Sequence, residues 1–139
     1  MKNLLYGMLL LFSGALLFTA CSDDDDHHHS DDNEVNILIQ SPTDGHTYSM
    51  EEAADLDIHV LFEATEENHD VEVELYPHGD HSNKIVDWDA HEHDPLIEFR
   101  TSVDLSSFDS GTVFHLRTKS CVNHSCNDYE EKEITFTIE

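Results

Sequence analysis

Apolar residues recur at every second position through most of the chain from Val35 onward, in short runs divided by turn-forming residues. Val35, Ile37 and Ile39 share one face before Ser41-Pro42-Thr43-Asp44-Gly45 turns the chain. The clearest run is Asp55 to Ala64. Leu56, Ile58, Val60, Phe62 and Ala64 point one way and Asp57, His59 and Glu63 the other, the period of a half-buried strand, with Leu61 as the exception. Val71, Val73 and Leu75 alternate with Glu72 and Glu74 in a third run, which ends at Pro77-His78-Gly79.

A short edge strand is expected from Lys84 to Asp89, around Trp88, and then a charged loop from Ala90 to Pro95. Alternation resumes from Leu96 to Leu105, turns over Ser106 to Gly111, continues through Phe114 and Leu116, and closes with Ile134, Phe136 and Ile138. No helical period is visible. About seven short strands at regular spacing indicate an all-β, antiparallel sandwich from Val35 to Glu139.

The start of the chain reads differently. Lys2 precedes an apolar run from Leu4 to Phe18, shorter than the ~20 residues of a membrane-spanning helix, and small residues sit directly before Cys21. The ending Phe18-Thr19-Ala20-Cys21 resembles the lipobox of bacterial lipoproteins, and Ser22 followed by Asp23 to Asp26 resembles the export signal of Bacteroidota surface lipoproteins. The resemblance implies a signal peptide over 1–20, lipidation at Cys21, an outer-membrane lipid anchor and exposure at the cell surface. Residues 21–34, rich in Asp, His and Ser, are too polar to order themselves and form a tether, whose stretch from Ser22 reaches at most ~45 Å.

The sandwich segment also carries a resemblance. Ser41-Pro42-Thr43-Asp44-Gly45, the corner from Val103 to Thr112 and a final hairpin are similar to bacterial immunoglobulin-like domains. Tyr76-Pro77-His78 with Trp88-Asp89-Ala90-His91-Glu92-His93 resembles an uncharacterised family of histidine-rich, immunoglobulin-like Bacteroidota lipoproteins. This chain departs from such domains by placing a two-cysteine loop where an Asp and Gly turn is usual.

Charge narrows the partners. The 139-residue chain has 31 Asp and Glu against 6 Lys and Arg, a net charge of −25, and all of the carboxylates follow Cys21. Such a surface repels nucleic acid and concentrates cations. Cys121 and Cys126 flank four residues, and in an exported protein a disulfide is the favoured reading, with a thiolate metal site including His124 as the alternative.

All 12 histidines also follow Cys21, and histidine is the commonest metal ligand. If the strands run alternately up and down, the loops at Glu66 to Asp70, Ala90 to Pro95 and Cys121 to Asp128 emerge at one pole. That pole gathers His69, His91, His93 and His124, with Glu66, Glu67, Asp70, Glu92 and Asp94 around them. His91 and His93, two apart on an extended segment, face the same side, and a third ligand comes from His69 or His124. Three nitrogens with water or a carboxylate suit zinc, and copper or nickel in other geometries. The opposite pole receives His46, His78, His81 and Asp80, while His59 and His115 join charged ladders on outward faces.

No Gly-x-Ser-x-Gly, His-Glu-x-x-His or Gly-rich phosphate loop occurs, so the expectation is a protein without enzymatic activity and without catalytic residues. Two functions remain: a surface module that captures divalent metal, or an adhesion or accessory domain that contacts a protein or glycan.

Overall fold

A computed structural model describes residues 33–139. The leader, Cys21 and the tether histidines His27, His28 and His29 lie outside the described residues. The strands are β1 (Val35–Ser41), β2 (Thr47–Tyr48), β3 (Leu56–Ala64), β4 (Asp70–Pro77), β5 (Val86–His91), β6 (Leu96–Val103), β7 (Val113–Cys121) and β8 (Tyr129–Ile138). A four-residue helix, α1 (Met50–Ala53), precedes β3. One sheet has the order β1-β3-β6 and the other β2-β8-β7-β4-β5. All pairings are antiparallel except that of β2, which runs parallel to the end of β8. The fold is an all-β sandwich, as the alternation predicts.

Its core is the predicted set of inward positions. Ile58, Val60 and Phe62 of β3 face Val71, Val73 and Leu75 of β4 and Phe114, Leu116 and Phe136 of β7 and β8, all buried. Phe114 and Phe136 stack with ring centroids 5.5 Å apart. Burying each such side chain contributes roughly 1.5–3 kcal/mol. A surface ion pair contributes about a tenth to a half of that, so the apolar alternation decides the architecture. At one edge Trp88 of β5 reaches across to Phe99 of β6, with centroids 4.8 Å apart, and so joins the two sheets.

Three features depart from the pattern. First, β2 adds an eighth strand, too short for any periodicity to register. Second, α1 exists because Ser49 and Glu52 cap each other: the Ser49 hydroxyl accepts from Glu52 N–H and the Glu52 carboxylate accepts from Ser49 N–H at 2.8 Å. Its Ala53 is fully buried, and a single helical turn is below what a 3.6-residue period can show.

Third, β5 continues past Asp89, so that Ala90 and His91 belong to a strand where a loop was expected. Ala90 pairs with Val71 and His91 with Asp70. Charge had hidden the alternation: Val86, Trp88 and Ala90 are covered to varying degrees, whereas Asp87, Asp89 and His91 are exposed on this edge strand.

Candidate metal centre

Each of β3, β5 and β7 ends at the same pole of the sandwich, and β4, β6 and β8 begin there. The loops that join them are therefore neighbours, as strand parity predicts. Asn68, fully buried, fastens them: its side-chain amide donates to the carbonyls of Phe62 (3.2 Å) and Asp94 (2.9 Å), and its oxygen accepts from the Ser120 hydroxyl (3.2 Å). Backbone bonds from Asn68 N–H to Asp94 (3.1 Å) and from Glu92 N–H to His69 (3.3 Å) continue the seam. Asn33 ties the β3–β4 loop to the β7–β8 loop by donating to the carbonyls of Glu67 (2.8 Å) and Val122 (2.9 Å).

The third loop is closed covalently. Cys121 and Cys126 form a disulfide, with Cα atoms 4.9 Å apart, and Cys121 is buried at the end of β7. His124 rides on this small ring, so its position is set by the bridge and by the turn bond from Cys126 N–H to Asn123 (3.0 Å). With Cys121 and Cys126 paired, neither offers a thiolate to the site.

The four histidines expected at this pole do meet. Ring centroids lie 4.5 Å apart for His69 and His124, 4.9 Å for His93 and His124, 5.4 Å for His69 and His93, and 4.9 Å for His91 and His93. A carboxylate stands among them, since Glu67 is 3.3 Å from His93 Nδ1 and 3.9 Å from His69 Nε2. Glu67, His69, His93 and His124 each offer a ligand atom, and these atoms all lie within 4.8 Å of one another. This set can hold a metal ion. His69 is buried at its base, whereas His93 and His124 open to solvent.

The converging set differs in one member from the sequence-based expectation. Glu67 stands in it, and His91 does not. As a strand residue, His91 is held by its register partner, with Nδ1 2.7 Å from Asp70 Oδ1. Its ring flanks those of His93 and His124 without entering the four-residue group.

Basic side chains are spent elsewhere. Lys84 and Arg117 both bond Glu74, at 2.6 and 2.5 Å, Lys119 approaches Glu72 at 3.4 Å, and Arg100 bonds Asp57 at 3.0 Å. Arg117 and Glu74, on β7 and β4, and Arg100 and Asp57, on β6 and β3, thus pair across neighbouring strands. Burial pushes the Glu74 carboxyl up, but hydrogen bonds from Lys84, His81 and Arg117 outweigh it and hold the group down at about 2.

Histidines away from the pole form lines and pairs. His115 Nδ1 lies 2.6 Å from Glu133 and its Nε2 2.7 Å from His78 Nδ1, making a row of carboxylate, imidazole and imidazole. His81 meets Glu74 at 3.1 Å and the Tyr76 ring at 4.5 Å. His46 packs on Tyr48 at 4.5 Å, and His59 pairs with Glu98 at 2.8 Å.

Sequence reasoning had placed Glu67 only in the surrounding acidic shell and had given no role to Asn33 or Asn68. For Asn68 a signal existed: a polar residue beside His69, at the end of a loop between two strongly alternating strands, is a natural bearer of loop-to-loop hydrogen bonds. Compared with known protein families and with curated proteins, the chain matches none of either.

Proposed function

We propose that this chain captures a divalent metal ion at the cell surface, as the folded part of a lipid-anchored outer-membrane lipoprotein. The observation that carries the reading is the convergence of Glu67, His69, His93 and His124 within 4.8 Å. In a tetrahedral zinc site with bonds of about 2.0–2.1 Å, ligand atoms stand about 3.3 Å apart. The required closure is about the length of one bond, within reach of side chains on short loops. Three imidazoles and one carboxylate suit zinc first, and copper or nickel after it.

Four protein ligands leave no open position for a substrate, which supports binding over catalysis. The anchor and surface location rest on the leader and on Cys21. Changing Cys21→Ala should release the protein from membranes, and a variant that stays with the membrane fraction at full length would refute the lipoprotein reading.

A second reading, an adhesion or accessory domain, is favoured by a groove of about 360 Å³ on the β4–β5 face, lined by Glu72, Asp87, Asp89 and Trp88 among others. Calorimetric titration with zinc, copper and nickel separates the two. One ion bound per folded chain, lost when His69 and His93 are both changed to Ala, supports capture. If changing His27, His28 and His29 removes the tight binding and the pole variant keeps it, the tether is the chelator and the sandwich has another task.

A further inference from the structure

We infer that His91 is the outermost station of the metal site, the imidazole that first takes an incoming divalent ion and hands it inward to His93, His124 and His69. This deepens the metal-capture reading and rests on it. The histidines run from the rim to the base of the pole: the side chain of His91 is 52% exposed and that of His93 44%, His124 is exposed with them, and that of His69 is only 3% exposed. Their rings are in sequence, with His91 4.9 Å from His93 and 5.9 Å from His124, and His124 4.5 Å from His69.

Asp70 makes His91 ready for this task. Its carboxylate, 2.7 Å from Nδ1, accepts the proton of that nitrogen, so in the neutral ring Nε2 carries the lone pair. The pairing is built into the sheet, because Asp70 and His91 are register partners on β4 and β5. A carboxylate-oriented imidazole on a rigid strand is a good ligand. Held by that strand, it stands beside the four-ligand set and not within it.

The transfer is ligand exchange alone. One metal–water bond breaks as the bond to His91 Nε2 forms. That bond then breaks as an inner imidazole takes its place, and the ion keeps its charge throughout. His91 should therefore govern how fast metal enters and leaves, and leave the amount bound at equilibrium almost unchanged.

The experiment uses the full chain with His27, His28 and His29 changed to Ala, so that the tether does not mask the pole. Zinc and cobalt(II) are the probes. Stopped-flow mixing reads loading, and transfer to a small chelator reads release. His91→Ala should slow both by about tenfold while keeping the stoichiometry and, within about twofold, the affinity. Asp70→Asn should slow both in the same direction and by less.

Rates equal to those of the parent chain would overturn the inference. So would loss of the bound ion in a His91→Ala variant that keeps its β-rich circular dichroism, since His91 would then be an equilibrium ligand. If the parent chain itself binds neither metal with fixed stoichiometry, the site reading fails first and the inference falls with it.

Discussion

Two histidine groups in this sandwich use the same chemistry to opposite ends. At the loop pole, His69, His93 and His124 surround Glu67 and their ligand atoms converge. Along the outer face of the larger sheet, Glu133 of β8, His115 of β7 and His78, in the turn directly after β4, stand in a row and bond one to the next. The difference is geometric. Side chains on a sheet face stand roughly parallel, one strand spacing apart, so neighbours meet in pairs and rows. Loops leaving three different strands can aim their side chains at a single point. Histidine content is shared by the two regions, and convergence belongs to one.

The comparison breaks most readily at the imidazoles. Changing His69 and His93 to Ala should lower zinc affinity by at least about 100-fold, whereas changing His78 and His115 to Ala should leave it within about twofold. Calorimetry on folded variants measures both, and equal losses would erase the distinction.

A large effect on stability is expected on the sheet side, at Glu74. Its folded carboxyl titrates at about 2, below the ordinary 4.5. A lowered folded value means that the stabilisation is fully present above the ordinary value and is lost as pH falls from about 4.5 through about 2. Glu74→Gln should cost on the order of 2–3 kcal/mol at neutral pH and flatten the acid limb of a stability profile measured by urea denaturation. An unchanged acid limb would show that Glu74 is not what fails in acid.

The disulfide should matter to the pole and not to the row. Changing Cys121 and Cys126 to Ser frees the loop that carries His124, which should weaken zinc binding by about tenfold and lower stability by roughly 2 kcal/mol. The hydrogen bond between His78 and His115 should persist, visible as unchanged imidazole resonances. The smallest effect is expected at Arg100, whose pairing with Asp57 is exposed: Arg100→Ala should leave the urea midpoint nearly unchanged and metal binding alone.

Much of this was legible from the residues. A period of two is a local property, so Leu56 to Phe62, Val71 to Leu75 and Ile134 to Ile138 declare their strands and inward faces without reference to any neighbour. Strand parity then brings three loops, and with them His69, His91, His93 and His124, to one pole. The turn signals at Pro77-His78-Gly79 and at Cys121 to Asp128 marked where those strands would stop.

Tertiary structure alone decided which atoms converge. Whether His91 was a loop residue or the end of β5 depended on its pairing with Asp70, a contact across 21 positions of sequence. That pairing turns its Nδ1 toward a carboxylate, while Glu67, from the β3–β4 loop that also carries His69, stands among His69, His93 and His124. Asn68 reaches both Phe62 and Asp94 because the strands bring those carbonyls together. Alternation determines the face of a strand on which a side chain lies. The point in space at which side chains from several strands meet is determined by register and by loop-to-loop hydrogen bonds, which link residues far apart in the chain.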